Sequence, residues 1–450
     1  MENPGTSSII DRLGQWLRES VTVKLASIGL LVIILLIPLV WIFNLMEERQ
    51  QRAGEVRAEV SAKWSGSQTL AGPVMVVPYL ETETVFTAEG KTETRQVKRE
   101  AFFLPEALNI RGKILPRHLH RGIFDAVVYQ SHLTLDATFS EPRPEELKIR
   151  SDQMLWDDAC LLVGISDLRG ISQHEPKINT NNVNLTGEPA QNMPFIFNRK
   201  GTTGIRIPLH RSISRFPADA TISLTLKGSE QLYFIPTAKT TTVHLEGKWA
   251  DPGFDGAFLP DNRMLSDSSF SAGWKVLHFN RPIPGQWVNE KLDFSASAFG
   301  VNLLVPAHQY QNSIRTAKYG ILIILFTFIS LFFMEVMHNL RIHPFQYILI
   351  GAALVIYYTL LLSFSEHIGF HASYWISTTA TCALITAYAA TFLKNRKQTL
   401  GLAALLLVFY AFVFVVTLQQ DYALLTGSIG LFVVLGALMY ISRRINWYRS

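Results

Sequence analysis

One apolar segment, Ser27 to Met46, stands alone near the start of this 450-residue chain, and five more follow in quick succession between residues 319 and 441. The five can be drawn as Gly320 to Met337, Phe345 to Phe364, Tyr374 to Leu393, Leu400 to Leu418 and Leu424 to Ile441. Each of the six is close to the ~20 residues that carry a helix across a ~30 Å hydrocarbon core. The hydrophilic stretch 47–318 lies between the first and the rest. The pattern predicts an α+β membrane protein with six transmembrane helices, arranged one plus five, and a large extramembranous domain inserted between helices 1 and 2. Asn44-Leu45-Met46-Glu47-Glu48 follows the first segment without a small-residue cleavage site, so that segment reads as a retained anchor and not a secretion signal.

The net charge is +5, yet residues 47–318 hold 31 Lys+Arg against 30 Asp+Glu, so the inserted domain is nearly neutral. The excess lies with the membrane part, where Arg341, Lys394, Arg396, Lys397, Arg443, Arg444 and Arg449 outnumber Glu335, Glu366 and Asp421. Basic residues at span ends set topology; they make no nucleic-acid surface. Arg12, Arg18 and Lys24 in the leading arm fall on the same side as Arg341, the 394–399 loop and the tail, whereas 365–373 and 419–423 carry no Lys or Arg. Both termini are therefore expected in the cytoplasm and 47–318 outside, in the periplasm of a Gram-negative cell. The implied divisions are a cytoplasmic arm 1–26, a first span 27–46, an outer domain 47–318, spans 2–6 over 319–441 and a tail 442–450. Residues 2–24 have helical apolar spacing and read either as an amphipathic helix on the inner leaflet or as a run-in to the first span. Trp41, Tyr374, Trp375, Tyr422, Trp447 and Tyr448 are placed as an interfacial aromatic belt.

Glu47 to Trp64 is rich in helix formers and reads as a stalk ending at Gly66. From Gly72 onward the texture is short β-rich runs broken by Gly, Pro, Asn or Asp. The runs are Pro73 to Tyr79, a hairpin of Thr84 to Ala88 with Thr92 to Phe103, Ile123 to Phe139, Cys160 to Ser166, Thr221 to Leu226, Thr240 to Leu245, Phe270 to Phe279 and Phe294 to Val305. Alternation such as Leu133, Leu135, Ala137 and Phe139 predicts antiparallel, sandwich-like sheets, or two consecutive β-layers with a boundary near Pro236.

The two cysteines, Cys160 and Cys382, fall in different regions and form no pair, and there is no CxxC. G-x-S-x-G, H-E-x-x-H and P-loop strings do not occur, which disfavours an enzyme. No cofactor and no metal is expected.

The strings Leu70-Ala71-Gly72-Pro73 with Val77-Pro78, Phe103-Leu104-Pro105-Glu106, Arg121-Gly122-Ile123, Asp167-Leu168-Arg169-Gly170-Ile171 and Gly256-Ala257-Phe258-Leu259-Pro260 follow one another along the chain. Their order resembles the CreD family of inner-membrane, cell-envelope-integrity proteins. Gln309-Tyr310 with Arg315 and Lys318-Tyr319, His343-Pro344-Phe345-Gln346-Tyr347, and Ser363 to Phe370 continue the resemblance through the membrane part. It implies an inner-membrane protein tied to envelope stress and to colicin and β-lactam tolerance, and it brings no catalytic residues.

Candidate functional residues are the ionisable groups in or near the bilayer, where charge is costly. Glu335 and His338 share a helix face and suit a proton relay or ion site; snorkelling to the cytoplasm is the alternative. Glu366-His367, with His371, could shuttle protons or hold a metal, although Gly369 argues against one continuous helix. The preferred reading pairs Glu366 with Arg315 or Lys318 where the outer domain meets the bilayer. His118-x-His120 offers two ligands without a third. Arg121 and Arg169, each followed by Gly-Ile, read as fold-building, with anion binding behind. The expected partners are the lipid bilayer and envelope components or other inner-membrane proteins, and no nucleic acid. A transporter or lipid-handling protein using the intramembrane Glu and His residues is the alternative function.

Overall fold

The computed structural model describes residues 21–443 apart from 87–91, 173–174, 198–202, 210–217, 304–307, 339, 341, 394 and 420–421. Expectations for the arm before residue 21, for Arg341 and Lys394, for Asp421, and for Arg444, Trp447, Tyr448 and Arg449 lie outside the described residues. The chain divides into two compact units, Glu55–Val305 and the remainder, residues up to Gly54 together with those from Pro306. Both divisions differ from those read off hydropathy, at 46/47 and 318/319.

The first helix, α1 (Val21–Trp64), explains one difference: it contains Pro38 yet runs unbroken from the apolar segment through the charged one. A proline in a membrane helix is tolerated because neighbouring groups satisfy the freed carbonyl. Ile28, Val32, Leu35, Leu39, Ile42 and Met46 are buried, a spacing of four and three that makes one seam, while Leu30, Ile33, Ile37 and Trp41 on the other faces are exposed. The second difference comes from α2 (His308–Lys318), a short amphipathic helix whose Tyr310, Ile314 and Ala317 are buried in the helical unit.

The remaining helices are α3 (Gly320–Met337), α4 (Pro344–Ile368), α5 (Phe370–Ala389), α6 (Arg396–Leu418) and α7 (Ala423–Ser442). By length and hydropathy α1, the run through α2 and α3, α4, α6 and α7 qualify as membrane spans; α5, part of the predicted Tyr374 to Leu393 span, does not. Its polarity comes from hydroxyls: Ser373, Ser377, Thr378 and Thr381 are buried between helices. Small hydroxyl side chains at helix contacts let backbones approach in membrane bundles, so low hydropathy here reflects packing. Tyr374 belongs to that interior and is fully buried, not part of an interfacial belt, whereas Trp41, Trp375 and Tyr422 are exposed.

In the β unit, β1 (Gln68–Phe86) and β2 (Thr92–Phe103) pair antiparallel from Met75 opposite Phe103 to Phe86 opposite Thr92, as the predicted hairpin requires. Two sheets form. The nine-stranded one runs Gly253–Gly256, Phe299–Asn302, Gln231–Ile235, β1, then Cys160–Ile165, Gly204–Pro208 and Glu188–Ala190, with β2 and Gln286–Val288 attached beside β1. The eight-stranded one runs Asn262–Leu265, Phe270–Leu277, Thr240–Gly247, β3 (Ala107–Arg121), β4 (Phe124–Phe139), Ala218–Ser229, Lys177–Thr180 and Val183–Leu185. Successive strands keep changing sheet, so the two sheets are interleaved layers of one sandwich and no boundary falls at Pro236: Gln231–Ile235 and Thr240–Gly247 on either side of it belong to opposite sheets. Met75, Val77, Leu161 and Val163 from one sheet share a core with Ile110, Leu133, Leu135 and Trp274 from the other.

Most pairings are antiparallel, but Gln231–Ile235 lies parallel to β1 and Thr240–Gly247 parallel to β3. Alternation fixes which face is buried and carries no strand direction, so these parallel pairs have no signature in the sequence. The outer face of the nine-stranded sheet is also covered: Val74, Val76, Phe102 and Cys160 lie under Phe195, Trp287 and Phe294. Burial on both faces accounts for the unbroken apolar run Val74 to Val77.

Candidate functional site

Lys24 and Arg49 belong to the first helix and each meets a carboxylate of the helical base. Near one end, Lys24 Nζ lies 2.8 Å from Glu335 Oε1. Tyr347 donates its hydroxyl to Glu335 Oε2 at 3.0 Å, and the Ile342 amide approaches Oε1 at 3.5 Å. Glu335 is 3% exposed, so this carboxylate is held by a cation, a phenol and a backbone amide in place of water. The motif His343-Pro344-Phe345-Gln346-Tyr347 builds the arrangement. His343 caps α4 through its Nδ1, which accepts from the Phe345 amide at 3.2 Å; Gln346 Oε1 accepts from the His343 amide at 2.9 Å, and Pro344 supplies a first-turn residue that needs no acceptor. One turn on, Tyr347 reaches Glu335.

His338 does not join Glu335. It is exposed at the end of α3, with Nδ1 3.2 Å from the Met334 carbonyl, a contact that requires the proton on Nδ1. The predicted Glu335–His338 pair is thus replaced by Lys24–Glu335–Tyr347.

At the other end of the apolar stretch, Glu366 Oε1 accepts from the Tyr310 hydroxyl at 3.3 Å and lies 4.0 Å from Arg49 Nε. The expected partners do not supply this contact: Lys318 Nζ sits 5.8 Å from the centre of the Phe43 ring, and Arg315 forms no ion pair among the described residues. Arg49 takes their place because it lies seven residues after Ile42, in register with the buried seam of α1. His367 is exposed, and Gly369, at φ +79°, separates α4 from α5, so His367 and His371 are not on one helix. Lys24 and Arg49 are separated by roughly 37 Å of helix at 1.5 Å per residue, a span that brackets a hydrocarbon core of ~30 Å. The pair of contacts ties α1 to its base at both ends of that span. Among the described residues no three His, Cys, Asp or Glu side chains converge as metal ligands.

In the β unit the two arginines take structural posts. Arg169 grips Asp167 with two nitrogens, at 2.9 and 2.7 Å, and donates to the Ala62 carbonyl at 3.0 Å. Arg169 beside it holds the Asp167 carboxyl at about 2, below the ordinary aspartate range. Asp167 also accepts from the Gly66 amide, and Gln68, fully buried, donates to the carbonyls of Asp167 and Lys227. A Cβ on Gly170 would lie 2.3 Å from the Lys227 carbonyl oxygen, so only glycine fits. The string Asp167-Leu168-Arg169-Gly170-Ile171 is therefore the joint between the last turn of α1 and the sandwich. Arg121 pairs with Glu59 of the same helix, and this pairing draws the Glu59 carboxyl down to about 2; Gly122 has φ +62° and makes the tight turn between β3 and β4. His118 stacks on Trp249 with ring centres 5.2 Å apart and His120 pairs with Asp125, so they do not converge on a shared ligand.

Three features had no sequence signal strong enough to single them out. Arg281, 6% exposed, donates to the carbonyls of Thr237, Ala238 and Ile283, and burial pushes its guanidinium down to about 10. The cleft of about 390 Å³ beside the end strand Asn262–Leu265 is lined by Lys113, Glu246, Lys248, Met264, Leu265 and Ser269, among others. Tyrosines 357, 358, 374 and 410 gather in the helical unit.

Comparison with known proteins agrees with the architecture. The family described as Inner membrane protein CreD matches residues 20–448. A curated relative, Inner membrane protein CreD of Escherichia coli (strain K12), is 32% identical over 429 residues, covering 94% of this chain and 93% of its own. Among solved structures, a putative nutrient binding protein from Legionella pneumophila covers 56% of this chain and 86% of its own at 7% identity; its TM-score of 0.20 is too low to carry an argument. With near-complete coverage in both directions, several apolar helices and a large inserted β unit, the chain belongs to the CreD family of inner-membrane proteins.

Proposed function

We propose that this protein is a non-enzymatic envelope-stress protein whose β unit, held outside the inner membrane, engages a partner protein of the envelope and thereby affects tolerance to colicin and β-lactams. The observation that carries the reading is the free edge of the eight-stranded sheet. Among the described residues Asn262–Leu265 pairs with Phe270–Leu277 on one side only, and all four of its residues are exposed, Met264 at 73% and Leu265 at 55%. An edge strand carrying bare apolar side chains is a template for another strand and a hazard unless it is used.

The cleft beside it carries Lys113 and Lys248 against Glu246, and Arg263 is exposed on the strand itself. That balance suits an extended segment of a partner protein with acidic residues flanking an apolar side chain. Positive charge at Lys24, Arg396, Lys397 and Arg443 supports a cytoplasmic position for those helix ends, and so an outer position for the β unit. The test compares β-lactam and colicin tolerance at matched membrane expression for the intact protein and for Met264→Glu with Leu265→Glu. Loss of the tolerance phenotype with unchanged melting of the purified protein is expected. Full tolerance in the double variant would sink the edge-strand reading.

A further inference from the structure

The edge strand Asn262–Leu265 is pinned at both ends. After it, the Ser266 amide donates to the Ser269 carbonyl at 2.9 Å and the two hydroxyls meet at 2.7 Å, closing a tight turn. Before it, the Asp261 amide donates to the Gly273 carbonyl at 2.9 Å, and Asp261 Oδ2 accepts from the Lys275 amide at 2.8 Å. Between these points Leu265 lies opposite Phe270, Met264 opposite Ser271, Arg263 opposite Ala272 and Asn262 opposite Gly273.

Ser266 and Ser269 are a hydrogen-bonded pair in this register, and in an antiparallel ladder such pairs alternate with pairs whose main-chain groups point away. Met264 and Asn262 therefore turn their amides and carbonyls to Ser271 and Gly273, while Arg263 and Leu265 turn theirs outward, where no strand is paired among the described residues. The far side of Phe270–Leu277 has the matching phase: the His278 amide donates to the Lys239 carbonyl at 2.8 Å, so Phe270 and Ala272 bond to Thr240–Gly247. Side chains alternate with the main chain. Leu265 and Arg263 share a face with Phe270 and Ala272, which are in the core, so Leu265 is core-facing apolar surface left bare one strand short of cover. Met264 is on the other face, in a cross-strand row with Ser271, Glu246 and Lys113 that lines the cleft. Glu246 meets His244 at 3.3 Å, whereas Arg263, Lys113 and Lys248 form no ion pair among the described residues, so the edge has positive charge to offer.

We propose, resting on the edge-strand reading above, that the partner enters as an added antiparallel β-strand bonded main chain to main chain at Arg263 and Leu265, with an acidic residue opposite Arg263 and apolar residues opposite Met264 and Leu265. The residue opposite Leu265 extends the sandwich core by one strand, and the residue opposite Met264 packs on the row that lines the cleft. Only every second amide of the partner bonds to the edge. A strand already held at both ends loses little freedom on pairing.

The full-length protein in lipid nanodiscs and a fluorescein-labelled peptide, Ser-Thr-Val-Val-Glu-Thr-Ser, test this by fluorescence anisotropy. In the antiparallel register its two valines lie opposite Leu265 and Met264 and its glutamate opposite Arg263. A methyl on the backbone nitrogen of the first valine or of the glutamate should weaken binding about tenfold, and a methyl on the second valine should leave it unchanged. Arg263→Glu should prefer the peptide with lysine in place of glutamate by about fivefold, the reverse of the parent chain, a swap that misfolding cannot produce. Equal affinity wherever the methyl sits would confine the contact to side chains and overturn the added strand, as would no binding of the unmethylated peptide at about 1 mM. Tolerance of the Met264→Glu, Leu265→Glu protein decides the edge-strand reading separately.

Discussion

Glu335 shows how a single residue can be found by sequence yet given the wrong neighbour. Its cost in hydrocarbon flagged it, but helical spacing pointed to His338, whose side chain turns out to the Met334 carbonyl instead. Lys24, hundreds of residues earlier, and Tyr347 complete the group. Long-range partners leave no trace in local periodicity. Glu366 has the same history: Arg315 and Lys318, the basics expected beside it where the outer domain meets the bilayer, form no ion pair with it among the described residues, and Arg49 on the first helix lies 4.0 Å from its carboxylate. A double-mutant cycle with Lys24→Met and Glu335→Gln measures the tie at the first of these sites. Removing either partner alone should cost about 2 kcal/mol of stability in lipid nanodiscs, below the ~3–5 kcal/mol of a fully buried pair because Lys24 keeps a third of its exposure. The double variant should recover part of that loss, and additive losses would show the two groups uncoupled.

Among the elements, the apolar seam of α1 and the strands with strict alternation were legible from sequence, and the reason is the same for both: one face is buried and the other is not. β4 shows this, with Leu133, Leu135, Ala137 and Phe139 all in the core. β3 escaped as a strand because Gly112, Pro116 and the cluster Arg117 to Arg121 interrupt its alternation, and Phe294 to Val305 shrank to Phe299–Asn302 because a 3-10 turn, Ser295–Ser297, occupies its start. Low hydropathy in α5 follows from hydroxyls turned inward, which a hydropathy average cannot separate from exposure to water. The seam of α1 also imposes a volume limit: a Cβ on Gly351 of α4 would lie 2.3 Å from Leu35 Cδ1 and 3.0 Å from the Phe328 ring. Gly351→Ala should therefore destabilise by about 1–3 kcal/mol, the cost of overpacking, and Leu35→Ala in the same chain should relieve it. Thermal melting of the single and double variants decides this; a double variant no better than the sum of its parts would mean that Leu35 and Gly351 do not share the space.

For the whole molecule, sequence showed that one β-rich block is inserted into a helical membrane protein, and the family match agrees with that plan. It could not show that the sheets interleave, because strand order depends on pairings between distant segments such as Gln68–Ala71 with Leu232–Ile235. Nor do the residues of the candidate sites converge on one centre: the ionic ties are on the helical unit, the Asp167–Arg169 joint and the free edge on the β unit. The proposed edge-strand binding needs no such centre, and it depends first on the side of the bilayer on which the β unit lies. Met264→Cys places a thiol on the exposed edge, while native Cys160 and Cys382 are both buried. With intact spheroplasts and a membrane-impermeant maleimide, the variant should be labelled before lysis and the parent chain should not; labelling of the new thiol only after lysis would contradict the account.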